Sequence, residues 1–419
     1  MLTPVYSGDI LRQVQEYNSN QMSEKIILKE EIQKANEEIK RVAEEECKSE
    51  YKFFRVKPAD STKIKEWEAL RATFRMANHQ SEEFIGDEKY FQSAKTEILR
   101  MLNGDTALSL KRAVFLCENA WYGSALSYKD FCQQIDQEVW TCRQVLKYYK
   151  LSDTEDEDVH FAIHHLFHNV ITLPKASGGV RKIYPFSYDT NDFMGDENRS
   201  NLFVSKLLKT RKGQCHSLPL LYLILSQELK AEAYLTLAPA HSYIKFPMGG
   251  QLYSYECTNG LPVSDDWIMA SGYISPVAIR NKIYLAPQSA KETIAQCLLD
   301  LASCYQNRFG YDDFVLNCIQ KVNSDFPSNI TALQHLSNYY TALFLQEAEA
   351  IHYPAISEIE WYPGLNNKYK AMLKFRNELE QKGYVRIPEE EYKKWVKHSE
   401  DKATKPNAKE SAQLNKKNK

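Results

Sequence analysis

The sequence predicts a mostly helical α+β protein, and three observations carry that prediction. Apolar residues recur at helical spacing through most of residues 60–230 and again after residue 290. Between those regions, at 233–238, 242–246 and 251–256, the period changes to the alternation of strands. The helical region beyond 290 also repeats itself. Helix followed by antiparallel sheet is an α+β order.

Residues 1–50 read as one polar helix. Leu28, Ile32, Ala35, Ile39 and Val42 follow a 4-3-4-3 spacing flanked by Glu and Lys, the seam of a coiled coil or of a helical-hairpin arm. Residues 51–174 form a helical region. Pro58 marks a break, helical spacing resumes over 60–102, and Asn103-Gly104 ends it. Helices follow at 106–122 and 127–149, with Gly123-Ser124 between them. The acidic run Asp153-Thr-Glu-Asp-Glu-Asp158 precedes a helix at 159–172, where it complements the helix dipole.

A core is expected over 175–288. Pro174 to Gly179 is a loop, a strand fits 180–186, and a helix fits 199–209. Pro219 cannot sit deep in a helix, because it lacks an N–H and clashes with the carbonyl four residues back. The next helix therefore starts at about 215–217, leaving Cys215 in or just before its first turn. Pro247-Met-Gly-Gly250 joins the last two strands of the sheet.

From 289 to 350 the chain returns to helices. Leu298, Leu301 and Tyr305 are matched 35 residues later by Leu333, Leu336 and Tyr340, with turns at Gly310-Tyr-Asp-Asp-Phe314 and Phe326-Pro327. This resembles tetratricopeptide repeats, whose helix pairs recur every ~34 residues. Two such repeats imply docking on the core, since isolated repeats lack a buried face. Residues 351–398 continue as helices, and 399–419 lack apolar anchors and read as a disordered tail.

Composition narrows the class. At 419 residues the chain is long enough for more than one domain. A net charge of −2 creates no field that would recruit nucleic acid or acidic lipid. No apolar run reaches the length of a membrane span. Met1-Leu-Thr-Pro-Val-Tyr6 has neither the basic nor the apolar part of a secretory signal, so the expected location is the cytoplasm. The nine cysteines (47, 117, 132, 142, 215, 257, 297, 304, 318) contain no CxxC pair, so eight read as structural free thiols.

The ninth, Cys215, lies in Arg211-Lys-Gly-Gln-Cys-His-Ser-Leu-Pro-Leu-Leu-Tyr222. A helix N-terminus with Arg211 and Lys212 upstream is the setting that favours a thiolate. His241 opens the strand after Ala238-Pro-Ala240, and Glu256 ends the next strand before Cys257-Thr-Asn-Gly260. A nucleophilic thiol, a histidine that takes and returns its proton, and a carboxylate that fixes the ring make a thiol triad. Gln214 and His216 are oxyanion or pocket candidates, together with the N–H groups of the turn. His216 is also the rival base, but its place beside the thiol turns it away. Asp265 and Asp266 are substitutes for Glu256.

These residues resemble the transglutaminase-like superfamily, a papain-like thiol fold, and within it the bacterial proteins that carry a C-terminal tetratricopeptide-like region. Gly-x-Cys opening a helix, His opening a strand and an acidic residue before a Thr carry the resemblance, which spans about 180–345. It implies a Cys helix packed on a small antiparallel sheet, with Cys215 as nucleophile, His241 as base and Glu256 as orienting acid. One departure stands at 256, where the superfamily has Asp followed by Pro and this chain has the longer Glu.

Two other patterns carry polar clusters. His160, His164 and His168 recur every fourth residue with His165 beside them, but no HExxH carboxylate accompanies them. Val159, Ile163, Leu166 and Val170 form a separate apolar stripe, so the histidines read as a polar flank and no metal is expected. Asp189-Thr-Asn-Asp-Phe-Met-Gly195 lacks the ligand spacing of a calcium loop and reads as a loop lining the cleft before the Cys helix.

The expected chemistry is acyl transfer at an amide or peptide bond through a Cys215 thioester. Hydrolysis is favoured over cross-linking, no acceptor-amine site being discernible, and no cofactor is needed. The partner is then a protein or peptide, not nucleic acid. The alternative is a catalytically idle scaffold that binds a protein or peptide through its pocket and repeats.

Overall fold

The computed structural model of the chain describes Trp67, Leu70 and residues 87–175, 179–271 and 273–387. The expected helix at 1–50, the start of the helix at 60–102, and the tail at 399–419 lie outside these residues. Helices predominate, with three small sheets among them. No helix of the described residues is long and apolar enough to cross a membrane. The chain forms two compact units, Met76–Ala342 with Ala371–Lys419, and Met1–Arg75 with Leu343–Lys370.

The larger unit opens with α1 (Glu88–Asn103), capped by the Asp87 side chain and ended by Gly104 at φ 85. Next come α2 (Leu110–Trp121) and α3 (Tyr128–Tyr149), whose caps Ser109 and Ser127 accept backbone N–H bonds. Helix α4 (Asp156–His168) takes the acidic run into its own first turn and ends short of the expected 172. The β-branched run beyond it forms strand β1 (Ile171–Pro174), which pairs antiparallel with β2 (Val180–Ile183).

A two-residue strand, β3 (Ser187–Tyr188), pairs parallel with β4 (Lys212–Gly213). The helix expected at 199–209 divides into a 3₁₀ turn (Arg199–Leu202) and α5 (Val204–Thr210). The division follows from a distant side chain. Glu118, buried on α2, accepts bonds from Val204 N at 2.7 Å and Ser205 N at 2.9 Å, and so starts the helix there. Burial pushes the Glu118 carboxyl up to about 7 against those bonds.

Helix α6 (Ser217–Leu229) is apolar all round and almost wholly buried. It leads into the four-stranded antiparallel sheet β5 (Tyr234–Ala238), β6 (His241–Met248), β7 (Gln251–Glu256) and β8 (Leu261–Val263). The β6–β7 connection is the two-residue Gly249-Gly250 turn, both at positive φ, as a type I′ hairpin requires. Strand β8 escaped the sequence reading because Pro262 interrupts a three-residue run. The other edge, β5, is covered by residues 285–288 through Leu285 N to Leu237 O and Gln288 N to Leu235 O.

Two short helices, α7 (Asp265–Ser271) and α8 (Pro276–Arg280), follow the sheet. Then come α9 (Ala290–Phe309), α10 (Asp313–Asp325), α11 (Ile330–Ala350) and α12 (Pro363–Gln381). Helix α9 packs on α1 and α2 as well as on α10, so the repeat region and the N-terminal helices share one layer. Phe91 meets Tyr305, Phe309 and Phe314 edge-on, and the Arg308 guanidinium lies 3.6 Å from the Trp121 ring. Ile330, Leu333 and Leu379 join Tyr243, Ile268 and Tyr284 in one cluster against the sheet. In the repeat, Leu298, Leu301, Tyr305, Leu333 and Leu336 are buried, whereas Tyr340 is half-buried and stacks on Phe375.

In the smaller unit, Trp67 stacks on Phe344 and meets Tyr353 at a tilt, both with centroids 5.3 Å away, and its Nε1 donates to Pro354 O at 3.1 Å.

Candidate active site

Cys215 occupies the turn immediately before α6, as the position of Pro219 required. Three contacts shape that turn. Gln214 N donates to Ser217 Oγ at 3.0 Å, Leu218 N donates to Gln214 O at 3.0 Å, and Gly213 fits where a Cβ would stand 2.7 Å from Ser217 Oγ and 2.9 Å from Leu207 Cδ1. The thiol is half-exposed.

His241 begins β6 directly after the turn that pairs Ala238 with His241. Pro239 presets the first central position, and Ala240 at φ 52 supplies the positive φ that a type II turn needs at the second. Strands β6 and β7 pair Ile244 with Tyr255. Continuing that register sets Tyr243 opposite Glu256, so His241 and Glu256 are diagonal neighbours within reach of long side chains.

They meet. His241 Nε2 donates to Glu256 Oε2 at 2.5 Å, and the Cys215 side chain lies near enough to the same imidazole to help raise its pKa. With Nε2 engaged by the carboxylate, Nδ1 is the nitrogen left for sulfur. The His241 side chain is 21 % exposed and that of Glu256 9 %, so the ring is open to a substrate while its carboxylate is enclosed. Burial alone would depress the imidazolium. The Glu256 charge, the bond to Glu256 and the nearby Cys215 outweigh it and hold the His241 pKa well above the usual histidine range. Burial likewise opposes the Glu256 anion, but His241 and Thr258 keep its pKa below the ordinary carboxylate value.

The longer Glu is accommodated by how its two oxygens divide. Oε2 takes His241, while Oε1 accepts Thr258 N at 3.0 Å and Thr258 Oγ1 at 2.8 Å. Asp265 is occupied elsewhere, by Lys245 Nζ at 2.7 Å, Ser254 Oγ and the Tyr243 hydroxyl. Thr258 stood in the sequence only as the Thr that follows the acidic residue, with no sign of its bonds to Glu256, and nothing pointed to Ser242, which holds the Cys215 carbonyl.

Other site candidates are placed differently. Gln214 is fully buried, and its Nε2 donates to Asn191 O at 3.5 Å, fastening the 189–195 loop to the Cys turn. Asp192 organises that loop by accepting from Asp196 N, Glu197 N and Asn198 N. His216 turns to Asp300 on α9, Nε2 to Oδ2 3.3 Å. Burial opposes its charge, but Asp300 prevails and raises its pKa. Arg211 bonds Glu138 at 2.8 Å and lies over the Phe186 ring, and Lys212 is exposed.

The α4 histidines are a correction. They form no polar flank, because α4 is packed between α3, α6 and β6. His160 is buried, and His164 and His168 are half-buried against Tyr255. Among the described residues no group of three or more His, Cys, Asp or Glu is placed to hold a metal ion. A cavity of about 530 Å³ between α1 and α2, lined by Thr96, Arg100, Thr106 and Arg112 among others, includes none of the triad. Compared with family models, curated proteins and solved structures, the chain gave no match.

Proposed function

We propose that the chain is a transglutaminase-like cysteine enzyme that transfers an acyl group from an amide or peptide bond through a thioester on Cys215. The observation that carries this reading is His241, bonded to Glu256 through Nε2 and drawn to a higher pKa by the Cys215 side chain as well as by that carboxylate. The Cys turn before α6 beside an antiparallel sheet is in keeping with a papain-like core.

In this mechanism the Cys215 thiolate attacks the substrate carbonyl carbon. The departing amine takes the proton from His241 Nδ1, leaving a thioester. Water or a second amine then loses a proton to Nδ1 as it attacks, and the thiol is released with the product. Glu256 stabilises the imidazolium formed at each step and fixes the ring with Nε2 protonated. Leu218 N is committed to Gln214 O and Pro219 has no N–H, so the Cys215, His216 and Ser217 N–H groups are the oxyanion donors this turn can offer.

A second reading, a binding protein that keeps the triad without turnover, is favoured by one observation: the buried Gln214 presents no side-chain amide to an oxyanion. An activated ester separates the two. With p-nitrophenyl acetate, the enzyme reading expects a stoichiometric burst of nitrophenolate and an acetyl adduct on Cys215, both lost in His241→Ala. A burst of equal size in that variant, or none in the wild type, sinks the enzyme reading and leaves the binding protein.

A further inference from the structure

Helix α4 carries His160, His164 and His168 one above another, and the acyl-transfer chemistry uses none of them. His160 braces the core: Nε2 donates to Glu232 O at 3.0 Å, so in the neutral ring Nδ1 accepts the Tyr222 hydroxyl at 3.0 Å. The other two converge on a single residue. His164 Nε2 donates to Gly260 O at 3.0 Å. The His168 ring lies so close over Gly260 that a Cβ there would stand 2.7–2.9 Å from three of its atoms.

Gly260 closes the turn that begins at Glu256. Its N–H donates to Glu256 O at 2.9 Å, and its φ of +75 suits glycine. Inside the turn, Thr258 supplies both donors to Glu256 Oε1. On the outside, the two histidines press and bond the same segment while packing on Tyr255, the neighbour of Glu256.

We infer that His164 and His168 are positioning residues: they clamp the Glu256–Gly260 turn so that the carboxylate stays on His241 Nε2. The inference rests on the reading of His241 and Glu256 as parts of the acyl-transfer site. Neutral rings suit the role, since a neutral Nε2–H donates to a carbonyl and adds no second positive charge near the carboxylate. Burial keeps both neutral, holding His164 below its usual pKa and His168 at about 3. The ring against Gly260 acts by shape, so a flat apolar ring should replace it and a small side chain should not.

The test is the titration of the His241 ring, followed by NMR on the full chain with labelled histidine, alongside the rate at which iodoacetamide modifies Cys215. In the wild type the ring should titrate well above free imidazole. In His168→Ala it should fall back toward the free value, and Cys215 labelling at neutral pH should slow on the order of tenfold, the size of effect that orienting outer partners of a histidine have elsewhere. His168→Phe should restore both. Should His168→Ala fail to fold, Gly260→Ala, which drives a methyl into the His168 ring, answers the same question. A His241 titration unchanged in the folded variant overturns the clamp. Because that titration needs no reaction at sulfur, an inert Cys215 would defeat the enzyme reading without touching this result.

Discussion

Ser242 Oγ donates to the Cys215 carbonyl at 2.5 Å and so fastens the turn that carries the thiol to the strand that carries His241. The two segments lie 26 residues apart along the chain from Cys215 to His241. The bond makes the distance between thiol and imidazole a property of the fold rather than of two mobile side chains. Removing the hydroxyl should therefore loosen the pair. Ser242→Ala is expected to cost about 1–2 kcal/mol of stability, read from the denaturant midpoint, and to slow Cys215 alkylation. Unchanged alkylation in a destabilised protein would show that the bond serves the fold alone.

Thiol reactivity should single out Cys215. Among the described cysteines only Cys132 and Cys215 are half-exposed. Burial drives the other thiols up, Cys304 to about 11 and Cys318 to about 12, so they are neither charged nor reachable near neutrality. Brief iodoacetamide treatment followed by peptide mass spectrometry should find Cys215 modified first, with Cys132 as the rival. Faster labelling of Cys132 would count against an activated Cys215.

Glu256→Gln keeps the shape of the side chain and removes its charge. The His241 pKa is raised in the folded state, so this pair adds stability that is fully present below the unfolded histidine value of about 6.5 and is lost as pH rises through the folded value. In the variant that contribution should vanish, and the pH profile of Cys215 alkylation should move upward as the imidazolium is lost earlier. A profile that superimposes on the wild type would reduce the site to a Cys–His dyad.

Acid should act through α4 and through His335 on α11, which burial also holds at about 4. Burial holds His160 at about 4 and His168 at about 3, and lowers His164. The unfolded chain therefore binds more protons below about 6.5, so stability should fall as pH drops from there toward those values. For His160 alone the loss is on the order of 3 kcal/mol. His216 and His241, whose values are raised, act in the opposite direction. His160→Gln, whose amide can meet both the Glu232 carbonyl and the Tyr222 hydroxyl, should flatten the acid limb of unfolding curves collected over a pH series. A limb as steep as in the wild type would place the acid sensitivity elsewhere.

Raising the pH should cost stability at Glu118, where ionisation leaves a buried charge that the bonds to Val204 N and Ser205 N only partly offset. Its carboxyl is held at about 7 against an ordinary value of 4.5, chiefly by burial, so its contribution is full below 4.5 and is lost as pH rises through about 7. Glu118→Gln should therefore gain relative to the wild type above neutrality, with unfolding midpoints on either side of pH 7 as the measure.

The sequence by itself determined most elements and the order of the site. Pro219 fixed where α6 could start, Pro247-Met-Gly-Gly250 marked the β6–β7 connection, of which the structure keeps only Gly249-Gly250 as the turn, and alternation set strands on which His241 and Glu256 fall. These features are local: a missing N–H, a positive φ, a two-residue period. The tertiary structure decided what local rules do not reach. Arg211, which reads as a neighbour of the thiol, is drawn to Glu138 and Phe186, partners far away in the chain. His216 goes to Asp300, and a single Glu118 carboxylate splits the helix expected at 199–209. The α4 histidines read as solvated because the sequence shows the face they share but not what covers it. Only the packing of α4 against α6 and the sheet turns that face inward, where each ring must find a carbonyl, a hydroxyl or a glycine to lie against.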